Sequence, residues 1–126
     1  MLKLLLVTRD INPFNELISR LGEYDDVELE ISASGEKALE WITSKIPVDL
    51  VMAEENLGDM TGLEFVRRLL KINPMVDSAV VSRLGHDEFH EASEGLGIMA
   101  QMPTTPGRED AERLIRSIRQ IKGMLV

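Results

Sequence analysis

The sequence predicts a doubly wound α/β domain, a parallel sheet covered by helices on both faces. Two observations carry that prediction. Runs of contiguous apolar residues, as in Leu4 to Val7, have the composition of strands buried on both sides and lack the alternation of half-exposed ones. Such runs alternate with stretches whose apolar residues recur at helical spacing, giving five β-then-α units in succession. At 126 residues the chain suits one such domain, spanning residues 1–126, with its own core.

In chain order, Leu4 to Val7 is the first strand. Asn12 stands where an N-cap belongs, with Pro13 at the first helical position and Phe14, Leu17, Ile18 and Leu21 as the apolar stripe. Val27, Leu29 and Ile31 alternate with acidic residues, so the second strand is expected near a sheet edge. A helix from about Gly35 to Lys45 turns Leu39 and Ile42 inward, Pro47 closes the turn, and Asp49 to Ala53 is the next buried strand. The third helix has the clearest start, because Thr61 and Glu64 have the spacing of a capping box. Leu63, Val66 and Leu70 form its inner stripe and Asn73-Pro74 ends it. A strand over Ser78 to Ser82, a helix around Asp87 to Leu96 and a strand near Ile98 to Met102 follow. The last helix carries Leu114, Ile115, Ile118 and Ile121.

In open sheets of this class, sites form at the carboxyl ends of the strands. Those ends are Thr8-Arg9-Asp10, Glu54 to Asp59, Ser82-Arg83 and Pro103 to Pro106. A net charge of −8 argues against a nucleic-acid surface. Basic residues do gather at Arg108, Arg113, Arg116, Arg119 and Lys122, but Glu109, Asp110 and Glu112 dilute them into a solvated or protein-contact face. Without cysteine there is no disulfide framework, thiolate metal site or cysteine nucleophile. No apolar stretch approaches the ~20 residues of a membrane helix, and the apolar start is too short for a signal peptide. A cytoplasmic chain without membrane association is expected. The signatures G-x-x-x-x-G-K-[ST], G-x-G-x-x-G and G-x-S-x-G are missing, as is a hydroxyl- and glycine-rich flavin loop at Thr8 to Asn12, and no enzymatic activity is expected.

The stretch Val48-Asp-Leu-Val-Met-Ala-Glu-Glu-Asn-Leu-Gly-Asp-Met-Thr-Gly-Leu-Glu64 resembles the receiver domains of two-component response regulators. In that family a strand ends in the phosphoacceptor aspartate, and a loop leads to a Gly-Leu-Glu-like helix start. Lys3 to Asp10 is similar to the family's first strand and acidic corner, and Ala79-Val-Val-Ser82 to the strand that ends in a hydroxyl, so the resemblance spans essentially the whole chain. It implies a flavodoxin-like five-stranded sheet of order 2-1-3-4-5. It also implies a chemistry in which an aspartate attacks a phosphoryl group and Mg²⁺, held by an acidic pair and a backbone carbonyl, neutralises the transferring oxygens. A lysine and a Ser/Thr hydroxyl then read the bound phosphate.

Set against that pattern, most parts differ. The phosphoacceptor position is Glu54, one methylene longer than aspartate, and the acidic-pair positions hold Thr8 and Arg9. Asn56 stands where the metal-binding carbonyl would be. The lysine expected before a proline is absent from Met102-Pro-Thr-Thr-Pro106, with Thr104 at its position. Gln101 occupies the aromatic switch position; Ser82 alone matches its role, and Arg83 follows where a small residue is usual. Mg²⁺ needs oxygen ligands at ~2.0–2.1 Å in near-octahedral geometry, so a hydroxyl and a guanidinium in place of two carboxylates leave its binding weak or absent. No other cofactor is expected.

Arg9 is expected either to pair with Glu54 through a bidentate fork and replace the metal's charge, or to be an ordinary surface arginine. Glu54 could alternatively mimic a phosphorylated aspartate. Glu55 and Asp59 are expected to be solvated loop acids and Asp10 a surviving acceptor. His86 and His90 have a metal-compatible spacing but no third ligand nearby, and Trp41 and the seven methionines read as core filler. The chain is thus expected to be a phosphorylation-independent interaction module of a two-component or phosphorelay system. Its partners would be proteins (an output domain, a kinase or another regulator), with a homodimer through the last helix-strand-helix face as one option. The alternative is a working receiver that accepts or mimics phosphorylation at Glu54.

Overall fold

The computed structural model describes residues 1–43 and 47–123. Five strands, β1 (Leu2–Val7), β2 (Val27–Ser32), β3 (Leu50–Ala53), β4 (Asp77–Val81) and β5 (Ala100–Met102), alternate with five helices. These are α1 (Asn15–Leu21), α2 (Gly35–Thr43), α3 (Gly62–Ile72), α4 (His86–Ala92) and α5 (Arg108–Ile121). The sheet is wholly parallel with order β2-β1-β3-β4-β5, the flavodoxin-like order the resemblance implied.

Alternate side chains of each central strand enter one of two cores, because successive residues of a strand point to opposite faces. Leu5, Val7, Val51, Ala53 and Val80 pack with Leu39, Ile42, Phe65 and Leu69 under α2 and α3, and Phe89 of α4 joins them. Leu4, Leu6, Leu50, Met52 and Val81 pack with Phe14, Leu17, Leu114 and Ile118 under α1 and α5. At the edge, β2 leaves Ile31 45% exposed, as its alternating sequence foretold.

Several local expectations shift. Asn12 does not cap α1; a 3₁₀ turn at Asn12–Phe14 precedes the helix, and the Asp10 carboxylate accepts the Asn12 N–H at 3.0 Å. The buried stripe of α3 is Phe65, Val66 and Leu69, with Leu63 and Leu70 only partly covered. At its start Thr61 Oγ1 accepts the Glu64 N–H at 3.1 Å. The expectation that α2 reaches Lys45 falls outside the described residues. Instead of running to Leu96, α4 stops at Ala92: the Ser93 hydroxyl donates to the Phe89 carbonyl, and Gly95 and Gly97 adopt φ of +82° and +62°. That turn delays β5 to Ala100 and leaves it three residues long. Met52, Met60 and Met102 are core residues as expected, but Met1 and Met75 are 71% and 77% exposed, and Met124 lies outside the described residues.

Register decides where a site can form. Val7 lies beside Ala53, and Ala53 beside Val80, so β1, β3 and β4 end almost level. Helix α3 then starts hard against that end, since a Cβ on Gly62 would sit 2.6 Å from the Glu54 carbonyl oxygen and 3.0 Å from Val80. Gly62→Ala should therefore cost about 1–3 kcal/mol through overpacking, and Thr61→Ala about 1 kcal/mol through the lost cap. Urea unfolding should report both as lower midpoints with an unchanged slope.

Candidate functional site

Beyond the last ladder bond of a parallel strand, backbone N–H groups lose their partners and must find others. Two strand ends, those of β1 and β4, meet that need with side chains. Thr8, 2% exposed, gives its N–H to the Ser32 carbonyl, while its hydroxyl accepts from the Asp10 N–H and donates to the Asp10 carbonyl. Arg9 donates its backbone N–H to Glu54 Oε1 at 2.8 Å. Symmetrically, Arg83 donates its backbone N–H to Glu55 Oε2 at 2.8 Å. Two consecutive carboxylates after the central strand thus reach left and right, each across the ~4.8 Å to a neighbouring strand end.

The arginine side chains are held far more loosely. Arg9 Nε lies 3.4 Å from Glu54 Oε1, and Arg83 Nε lies 3.6 Å from Glu55 Oε1. The Arg9 side chain is 53% exposed and that of Arg83 80%, so each ion pair contributes about 0–1 kcal/mol. The expected pairing of Arg9 with Glu54 forms, but not as a bidentate fork: one guanidinium nitrogen touches the oxygen that the Arg9 N–H already binds. A charge-assisted hydrogen bond such as that N–H makes is worth about 1.5–3 kcal/mol. It therefore outweighs the ion pair. The stem of Arg9 crosses Gly58, whose φ of +88° and lack of a side chain leave it room; an added Cβ would stand 2.9 Å from Arg9 Cδ.

Glu55 and Asp59 are open to solvent, as expected, but each also accepts backbone N–H groups. Glu55 fixes β4's end, as above. Asp59 accepts the N–H groups of Gly35 and Glu36 at 3.1 and 2.9 Å, tying the β3–α3 loop to the start of α2. The Glu36 N–H is the largest influence on its carboxyl; burial opposes it, the Gly35 N–H and the Arg68 guanidinium assist, and the net effect is a pKa below the usual aspartate range. Sequence could have hinted at the Glu55 role: β1 and β4 each run into an arginine two residues past their ends, and two acids follow the strand between them. The Asp59 contact spans 24 residues and leaves no local mark.

The cleft so framed holds about 190 Å³ and is lined by Arg9, Glu54, Glu55, Asn56, Arg83 and Thr104, over a floor that includes Phe14 and Val81. Ser82 stands at its edge with its hydroxyl accepting the Leu84 N–H at 3.1 Å. Gln101 is not gathered into it; its amide turns to the β4–α4 loop and donates to the Ser82 and Leu84 carbonyls at 3.1 and 2.8 Å. His86 and His90 lie on α4 outside the cleft. Among the described residues no group of three His, Cys, Asp or Glu side chains could hold a metal ion, and every buried side-chain nitrogen or oxygen has a hydrogen-bond partner. No described helix is long and apolar enough to cross a membrane.

This architecture, with its cleft at the level ends of β1, β3 and β4, is the receiver fold. No family model and no curated protein matches the chain. Solved structures do. The signal receiver domain of an HD-domain-containing protein from Pseudomonas fluorescens Pf-5 superposes with a TM-score of 0.81 at 16% identity, over 97% of this chain and 89% of that one. A two-component response regulator from Clostridium difficile gives 0.80 at 17%, over 95% and 97%. A chemotaxis response regulator of Vibrio cholerae gives 0.79 at 20%, over 94% and 98%.

The lowered pKa of Asp59 has a testable sign. A carboxyl depressed in the folded state stabilises it above the unfolded pKa, and that contribution is lost as pH falls through the folded value. Wild type should be more stable than Asp59→Asn at neutral pH. In urea titrations across pH the gap should hold steady down to about pH 5 and close only below the ordinary aspartate value of about 3.9.

Proposed function

We propose that the chain is a receiver-fold interaction module of two-component or phosphorelay signalling, held in a single state by its own side chains rather than switched by phosphate. The observation that carries this reading is the double clamp. Glu54, at the phosphoacceptor position, already accepts the Arg9 N–H, and its neighbour Glu55 accepts that of Arg83. Attack on a phosphoryl group would have to draw Glu54 from that bond, beside a Thr8 hydroxyl that closes its own turn and offers no carboxylate to Mg²⁺. The role is signalling without catalysis, in the cytoplasm, and the partners are proteins such as an output domain, a kinase or another regulator.

A second copy of the chain is one such partner, and the charges on α5 narrow where it would dock. Arg108, Arg119 and Lys122 pair with Glu23, Asp26 and Asp49 of the same chain, so their charges are already balanced. Arg113 pairs within its own helix with Asp110. Arg116 has no ion pair among the described residues, and it faces the β5 side together with Arg113. Across β5, α4 presents Asp87, Glu88 and Glu91, the opposite sign for a two-fold partner.

Incubation with acetyl phosphate or beryllofluoride and Mg²⁺ should produce neither a mass increment nor a fluorescence change at Trp41, which sits on the helix that Asp59 ties to the loop. Glu54→Asp alone should not restore phosphorylation. A stable acyl phosphate on wild type would establish the alternative, a working receiver using Glu54. Independently, a wild-type dimer in sedimentation equilibrium should weaken at least tenfold in Arg116→Glu; an unaffected dimer places the contact elsewhere.

A further inference from the structure

The two edges of the sheet are unlike. β5 is three residues long, whereas β2 runs for six, Val27–Ser32, and has a neighbouring strand only on its β1 side. In a parallel ladder each residue turns its N–H and C=O to one side, and successive residues alternate. The Asp26 and Ser32 carbonyls accept the Leu2 and Thr8 N–H groups at 2.7 and 3.0 Å, so the even-numbered residues of β2 face β1. Leu29 and Ile31 therefore turn their backbone groups outward. Side chains divide by the same alternation. Val27 and Leu29 pack toward the α1–α5 core and Ile31 follows them, 45% exposed, while Glu28 and Glu30 stand exposed on the α2 side. Beside Glu30, β2 and α2 leave an open groove of about 170 Å³, lined by Ile31, Ser32, Lys37 and Trp41 over Leu5.

We infer that the β2 edge is a docking strand for an extended segment of a partner protein in which basic and apolar residues alternate. Backbone bonds to Leu29 and Ile31 would add the segment to the sheet, and side chains would select it. The charges decide the occupant. Proteins blunt long open edges with proline, a bulge or charged residues, and β2 carries only its two glutamates. An antiparallel second copy would set those glutamates against each other, which disfavours self-pairing. A lysine or arginine opposite them is favoured instead. Glu28 reaches Lys3 at 3.5 Å but stays 51% exposed, and Glu30 has no ion pair among the described residues. Lys37 is the one cation lining the groove and limits how much positive charge the segment can carry there. On the opposite face, apolar residues of the segment would cover Leu29 and Ile31. This surface shares no lining residue with the strand-end cleft. Its binding needs no phosphate; only its place in signalling rests on the interaction-module reading.

The probe is a capped peptide of alternating lysine and valine, cut to the length of β2 and titrated into the full chain by NMR. At saturation, exchange of the Leu29 and Ile31 amides should slow by about tenfold or more, and that of Glu28 and Glu30, which face β1, should change least. A peptide of the same composition with proline at the bonding positions should bind at least tenfold more weakly, because it cannot donate to the edge. Affinity should fall as salt rises. Glu30→Lys, an exposed substitution that breaks no ion pair among the described residues, should weaken binding several-fold. Glu28→Lys with Glu30→Lys should weaken it about tenfold and bind a glutamate–valine peptide instead. Binding without protection of Leu29 and Ile31, or binding indifferent to both variants, would overturn the proposal. So would protection that rises with protein concentration alone, which would make the occupant a second copy. No phosphoryl donor enters the titration, so its outcome is separable from that of the phosphorylation assay.

Discussion

Everything at the functional end of this molecule depends on how the N–H groups beyond β1 and β4 are satisfied. A parallel sheet that ends level leaves donors facing the loop of its central strand. Here that loop supplies two carboxylates, one for each side, at 2.8 Å. Carboxylates suit the task because each oxygen accepts readily and a charged acceptor strengthens the bond. The glutamate chain suits it too, its extra methylene helping an oxygen span the gap between strands. Two guanidinium groups hover over the same carboxylates and balance the charge while adding little to the energy.

On the reading proposed above, the same economy of donors and acceptors would leave the cleft chemically quiet. A nucleophilic carboxylate needs lone pairs free and charge unbalanced, so that a metal or a phosphoryl group gains by approaching. In this cleft two acids and two arginines cancel, Thr8 closes on Asp10, and Ser82 closes on Leu84. Asp59 meanwhile anchors the loop to α2, and Gly58 and Gly62 provide the close approaches that Arg9 and Glu54 require. The β3–α3 loop is thus held at several points along its length.

The fold was largely legible because its signals are local. Contiguous apolar runs mark the buried strands, and Thr61 marks the start of α3. The positions that form the cleft were also legible, since the strand-end rule and the resemblance both pointed to Arg9, Glu54, Arg83 and Thr104. Their partners were not. An arginine beside a glutamate suggests a guanidinium fork, yet the dominant donor is the arginine's own backbone N–H, which no residue type reveals. Gln101 read as the loss of an aromatic residue; that its amide bridges two carbonyls across the β4–β5 boundary depends on the rotamer and on the loop's path. The early stop of α4 was missed for a similar reason, because Ser93 and the left-handed Gly95 override a helical pattern that continues to Leu96.

The charge around α5 is divided unequally between its two sides. On the α1 side, Arg119 bonds Asp26 at 2.7 Å and, with Arg20, brackets the Tyr24 ring at 5.3 and 4.3 Å, while Arg108 bonds Glu23. Cation–π contacts of this kind contribute roughly 0.5–1 kcal/mol each at exposed sites. That flank is therefore internally complete. On the β5 side, Arg116 has no such closure among the described residues, and the strand it overlooks is three residues long. So short an edge offers little backbone to an added strand. A partner there would have to be recognised through side chains, chiefly arginines on α5 and acids on α4, and that places the burden of specificity on the spacing between those two helices rather than on the sheet.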